Sequence, residues 1–254
     1  MKLNDKNLLV HSVFPTLSGE VGAIPQGAPA VFIRLAVCDL RCPWCDAKNA
    51  LTVKDGKEMT PGELLTIATQ YDINNFVITG GEPLLQEKPL GEFIRKLCVY
   101  SEFTAHIQIE TSGHRIPSTN DGMYLIDSYV VDYKLDSSKM NDRMMEPEQY
   151  LMFPGKTYIK FVIGSPYDFE QAAQMVKRIC DKIDGSPKKI WRNLFFAFSP
   201  VYANNDYLKV DALALWERVQ NHPFLKDKII LNLQLHKIIG QADIEEKPLL
   251  IQKT

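Results

Sequence analysis

Seven short runs rich in apolar and β-branched residues recur along the chain, and helical patterns fill most of the intervals between them. The runs are 30–37 (AVFIRLAV), 76–80 (FVITG), 105–110 (AHIQIE), 129–135 (YVVDYKL), 158–163 (YIKFVI), 194–198 (LFFAF) and 229–235 (IILNLQL). Several are apolar almost throughout, as strands buried on both faces of a parallel sheet are. The stretch 60–72 (TPGELLTIATQYD) opens with a capping box: Thr60 is the N-cap, Pro61 takes the first helical position and Glu63 reaches back. Leu64, Leu65, Ile67, Ala68 and Tyr71 then form one apolar stripe. Helical patterns return at 88–100, 168–183 and 206–220. Such alternation predicts an α/β fold with a mainly parallel sheet. About six or seven strands suit an open or partial (β/α) barrel rather than a closed eight-fold one. With no repeat and no linker composition, a single domain over 1–254 is expected, and 184–189 (DGSPKK) reads as a surface turn.

Composition narrows the function classes. The 254 residues are 45% hydrophobic, enough for a substantial core, and the net charge of −2 argues against a general nucleic-acid binder or a basic membrane-surface protein. No apolar run approaches the roughly 20 residues of a spanning helix. The opening MKLNDKNLLVHSVFP has too short an apolar stretch for a signal peptide, so a cytoplasmic location is expected.

Five cysteines with three clustered suit a reducing compartment and a metal site better than a disulfide framework. Cys38, Cys42 and Cys45 form a CxxxCxxC pattern within eight residues. A structural zinc site nearly always closes with four protein ligands. Here no histidine lies close in sequence, and Cys98 and Cys180 fall on apolar helix faces as core residues. Zinc, unliganded thiols and an iron–sulfur cluster all remain open on spacing alone. A 4Fe–4S cluster has four irons, so three cysteines leave one iron with an open position. An open metal position is what chemistry on a small molecule requires, which points to an enzyme.

Trp44 precedes the last cysteine, and ITGGEP (78–83) ends the next strand. Together with CxxxCxxC these segments resemble the radical S-adenosylmethionine superfamily. That resemblance implies a partial (β/α) barrel, a cluster loop after the first strand, and a GGE backbone that meets the methionine amino group. The flanking segments FPTLSGE (14–20), VFIRLAVCDLRCPWCDAKNA (31–50), ETSG (110–113), DYKLDSSKM (132–140) and QLHK (234–237) resemble the 7-carboxy-7-deazaguanine synthase family, from Phe14 to Lys237.

The family resemblance implies a lyase. An electron from a 4Fe–4S cluster cleaves S-adenosyl-L-methionine, and the resulting radical starts conversion of 6-carboxy-5,6,7,8-tetrahydropterin to 7-carboxy-7-deazaguanine with loss of ammonia, in queuosine biosynthesis. It implies Cys38, Cys42 and Cys45 as cluster ligands. Trp44, Asp46, Gly80, Gly81, Glu82, Asp132, Tyr133 and Lys134 match the cosubstrate side. Leu17, Ser18, Gly19, Glu20, Arg34, Thr79 and Glu110 match the substrate side. Arg34 would pair with the substrate carboxylate through its bidentate fork, the alternative being an outward surface ion pair. Glu110 would accept hydrogen bonds from the pterin, the alternative being a structural salt bridge; His236 reads as a core or rim histidine. An electron donor such as flavodoxin or ferredoxin is implied, and a homodimer is compatible; nucleic acid and membrane partners are not expected. Four departures stand out: Ser18 for glutamine, Val21 for glycine, DYK for SPK, and Ala47 for the hydroxyl that helps hold magnesium. Direct ligation of magnesium by the protein is therefore not expected. The rival readings are an activase that makes a glycyl radical on a partner protein, and a non-catalytic iron–sulfur or zinc protein.

Overall fold

A computed structural model describes residues 3–119, 122–184, 193–201 and 209–239. The strands are β1 (Leu8–Leu17), β2 (Pro29–Leu35), β3 (Lys57–Met59), β4 (Asn75–Gly80), β5 (His106–Thr111), β6 (Ser128–Tyr133), β7 (Lys156–Ile163), β8 (Leu194–Pro200) and β9 (Ile229–Leu231). The helices are α1 (Pro61–Ala68), α2 (Glu87–Tyr100), α3 (Pro147–Tyr150), α4 (Pro166–Asp184), α5 (Lys209–Asn221) and α6 (Leu235–Ile238). One sheet orders the strands β3-β1-β2-β4-β5-β6-β7-β8-β9 and is not closed. The pairs from β2 through β9 are all parallel, so the seven runs read from sequence are the parallel array. This is the expected partial barrel.

Two further strands extend it. β1 and β3 pair antiparallel at one edge, with an irregularity between Val10 and Ser12. His11, Ser12 and Pro15 interrupt the apolar pattern of β1; β3 covers only Leu8–Val10, so beyond Val10 no described strand pairs with the outer side of β1, which tolerates the proline. The α1 capping box forms as read, with the Thr60 side chain accepting from Glu63 N–H and the Glu63 carboxylate reaching back. The surface turn read at 184–189 falls, after Asp184, outside the described residues.

The two faces of the sheet differ, contrary to the expectation of apolar burial on both. Side chains alternate along a strand. Val31, Ile33 and Leu35, Phe76 and Ile78, Ile107 and Ile109, Tyr129 and Val131, and Ile159 and Phe161 face the helices and make the main core. Their alternates, Arg34, Thr79, Glu110, Asp132 and Lys160, line an interior cavity. Ile24, Ala30, Phe32 and Val77 form a second, small apolar cluster. The sequence looks continuously apolar because only one or two polar residues per strand reach the cavity.

Candidate functional site

The cluster loop leaves the end of β2 through Val37, whose φ of 79° is unusual for a β-branched residue. Two backbone bonds hold it there: Val37 N–H donates to Ala50 O at 2.8 Å, and Val37 O accepts from Glu82 N–H at 2.8 Å. The second bond joins the cluster loop to the GGE turn. Gly81 N–H donates to Leu35 O at 2.8 Å. The contact is so close that a Cβ at Gly80 would fall 2.1 Å from Leu35 O. Gly80 also has a φ of 126°. Both positions therefore require glycine.

Cys38, Cys42 and Cys45 all line the one cavity, with Trp44, Gly80, Gly81 and Lys134. None is in a disulfide. Burial pushes the Cys38 thiol up to about 11, with a smaller opposing effect from the Leu40 N–H that donates to its sulfur. Burial also raises Cys42 and Cys45, against the nearby Lys134 ammonium. The donor set fits an iron–sulfur cluster: three soft sulfurs with a resident cation to balance thiolate charge, and a fourth side left to the cavity. Among the described residues no group of three or more His, Cys, Asp or Glu side chains is arranged to hold a single ion.

Lys134 Nζ lies 5.3 Å from the centre of the Trp44 ring and donates to Asp132 Oδ2 at 2.8 Å. Trp44 Nε1 donates to Ser137 O. Asp46 pairs with Lys237 at 2.6 Å, and the Lys237 ammonium holds its carboxyl well below the usual range. Tyr133 faces away, its ring packed against Tyr150 and Phe161. Glu82 is fully buried and does not line the cavity. Its carboxylate accepts from Thr111 Oγ1 at 2.8 Å, Ser112 N–H at 2.8 Å and Ser112 Oγ. Thr111 and Ser112 do line the cavity, so Glu82 acts on it through them.

Glu20, Arg34, Thr79 and Glu110 line the cavity as well. Arg34 is buried and points inward, which excludes the surface ion pair. Glu20 accepts from Lys160 Nζ and from Gln234 Nε2, both at 2.5 Å. Burial works against its charge, but Lys160 keeps the Glu20 carboxyl below its ordinary value. Burial, then repulsion from Glu20, pushes Glu110 up to about 8. That shift favours the neutral carboxyl, which can donate as well as accept.

Leu17, Ser18 and Gly19 are not among the cavity-lining residues. Ser18 is tied by its backbone to Gly27 and Ala28. Gly19 O accepts from Leu235 N–H at 2.9 Å, and a Cβ at Gly19 would meet the His236 ring at 1.9 Å. His236 is thus a cavity residue held over Gly19, not a rim histidine. Ala47 is buried beside the cavity and offers no oxygen, while the adjacent Asp46 carboxylate is engaged by Lys237.

Sequence reasoning missed Lys160 and Lys237. Lys160 had a signal, a lone charge inside the apolar run YIKFVI; Lys237 lay in the QLHK segment, but its partner Asp46 is brought to it only by folding.

The model of the radical SAM superfamily matches residues 33–186. A 7-carboxy-7-deazaguanine synthase of Clostridium acetobutylicum is 30% identical over 239 residues, covering 92% of this chain and 96% of that one. One from Leptospira interrogans is 34% identical over 66% of this chain and 76% of its own length. The chain belongs to the radical SAM superfamily and, within it, to the 7-carboxy-7-deazaguanine synthase family. The fold agrees: the crystal structure of QueE from Escherichia coli overlays with a TM-score of 0.62 at 19% identity, over 91% of this chain and 95% of that one. Family membership implies a 4Fe–4S cluster and S-adenosylmethionine. It disfavours the activase and the non-catalytic readings. No described helix is long and apolar enough to cross a membrane.

Proposed function

We propose that this chain converts 6-carboxy-5,6,7,8-tetrahydropterin to 7-carboxy-7-deazaguanine with loss of ammonia, and that one domain carries the whole reaction. The observation that carries the reading is the shared lining of one cavity: three cysteines, two close-packed glycines and Lys134 line it together with Arg34, Glu20 and Glu110. When bound, the 4Fe–4S cluster and S-adenosylmethionine supply a radical that removes hydrogen from the substrate. The protein's part is to bind, orient and exclude water.

Cys38, Cys42 and Cys45 hold the cluster in this reading, and Gly80 and Gly81 let the cosubstrate approach the backbone. Asp132 and Lys134 flank the cosubstrate with one acceptor and one cation. Arg34, a planar fork in a buried wall, receives the substrate carboxylate. Protonated Glu110 and ionised Glu20 offer a donor and an acceptor to the ring edge of a purine-like molecule. With no side-chain oxygen at Ala47, protein donors rather than a protein-held magnesium ion meet the carboxylate. A reductase-type partner delivers the electron from outside the cavity.

The test is anaerobic reconstitution, then product analysis with the carboxypterin. Formation of 7-carboxy-7-deazaguanine and ammonia supports the reading. Cosubstrate cleavage indifferent to the pterin overturns it.

A further inference from the structure

Lys160 lines the cavity and pairs with two of its carboxylates. It lies on β7, opposite Asp132 in the β6–β7 register. Its side chain is only 10% exposed. The ammonium pairs with Glu20 Oε2 at 2.5 Å and with Asp132 Oδ2 at 3.6 Å. The chain of charges continues in both directions. Glu20 is held by Gln234, and Asp132 Oδ2 is also held by Lys134, which faces the Trp44 ring. Asp132 Oδ1 is buried with no hydrogen-bond partner. An unused acceptor of that kind is costly unless a ligand donor meets it.

We propose that Lys160 is a positioning residue that keeps the substrate half and the cosubstrate half of the cavity in register, its single ammonium joining Glu20 to Asp132. The inference rests on the reading of the cavity given above. Two buried carboxylates on separate elements would repel one another without a cation between them. A lysine gives that cation as a compact point charge with three donors, able to serve both partners at once. Any movement of Asp132 towards a bound ligand shifts the ammonium, and Glu20 feels the shift. Coupling of this kind is reciprocal: what Glu20 binds alters affinity at Asp132 by the same factor.

The test reads binding, not turnover. S-adenosylmethionine affinity of the anaerobically reconstituted protein is measured in four forms: unmodified, Glu20→Gln, Lys160→Met, and both together. Glu20→Gln should change the affinity about five-fold or more, since site-to-site couplings run from about 5-fold upward. In the Lys160→Met background the same substitution should change it less than about two-fold. Lys160→Arg, which keeps the charge, should restore the larger effect. If Lys160→Met does not fold, Lys160→Gln replaces it in the same four-way comparison, with the same outcomes deciding. An equal effect of Glu20→Gln with and without Lys160, or no effect at all, also overturns it. Failure of the proposed function appears separately, as absence of carboxydeazaguanine from the unmodified protein.

Discussion

Gly81 lies against Val37 so closely that a Cβ at position 81 would be 2.1 Å from the Val37 carbonyl oxygen. That oxygen already accepts the Glu82 N–H, so the cluster loop and the GGE turn are locked backbone to backbone. Neither partner is a flexible side chain that could swing away. Gly81→Ala should push the loop carrying Cys38 off the turn. Overpacking of this kind costs about 1–3 kcal/mol. The variant should melt lower and retain less iron after reconstitution, both read on the same preparation; full iron content with unchanged melting would contradict the contact.

The cysteines should divide into two classes. Replacing any one of Cys38, Cys42 or Cys45 with Ala should abolish S-adenosylmethionine cleavage, because each lines the cavity. Cys98 and Cys180 are buried in the main core among helix residues. Their replacement by Ala should cost on the order of 1 kcal/mol in stability and leave cleavage intact. Denaturant titration and assay of 5′-deoxyadenosine separate the classes, and a cluster-cysteine variant that still forms the nucleoside would refute the assignment.

Arg34 offers its charge from a buried wall. An ammonium cannot reproduce the two parallel bonds of a guanidinium. Arg34→Lys should therefore lower kcat/KM for the carboxypterin, and Arg34→Ala should lower it further, by about 2–5 kcal/mol of lost stabilisation, the range for truncating one partner of a buried charge pair. S-adenosylmethionine affinity should change far less. Steady-state kinetics with unaltered constants would remove Arg34 from the site.

Glu110 gives the protein a pH dependence of known sign. Its ordinary value is 4.5, and burial with Glu20 nearby raises it to about 8 in the folded chain. Between those values the folded chain holds a proton that the unfolded chain has released. The stability associated with Glu110 is complete below the ordinary value and is lost as pH rises through about 8. Glu110→Gln cannot release a proton. Its melting temperature should fall less than that of the unmodified protein between pH 6 and pH 9 (a working range of about these limits). Parallel melting curves across that range would show that Glu110 titrates normally.

Ala47 should make magnesium dispensable. Magnesium takes a near-octahedral shell of oxygens and keeps several waters. Position 47 contributes none, and the neighbouring carboxylate of Asp46 is paired with Lys237. Turnover of chelator-treated enzyme should respond weakly to added magnesium, and Ala47→Thr should increase the response. A large, saturable stimulation of the unmodified protein would show that the ion binds by another route.

The sequence by itself determined the elements that depend on local pattern. The seven parallel strands, the capped start of α1, the cysteine loop and the glycine turn are legible because each rests on neighbouring residues. The antiparallel strands β1 and β3 were not: in β1, His11, Ser12 and Pro15 break the pattern that betrays a strand, and only pairing with β2 makes it one. The sequence also named Arg34, Glu20, Glu110 and Asp132 as candidates, but not which way each points. That is decided by strand register: Asp132 faces the cavity, while Tyr133, one residue on, packs outward against Tyr150. Tertiary structure alone decided the charge partners. Lys160 meets Glu20 across 140 residues of chain, and Lys237 meets Asp46 across 191. Ion pairing acts over a few ångströms of space irrespective of separation along the chain, so the charge state of the cavity could be read only once the sheet had brought those residues together.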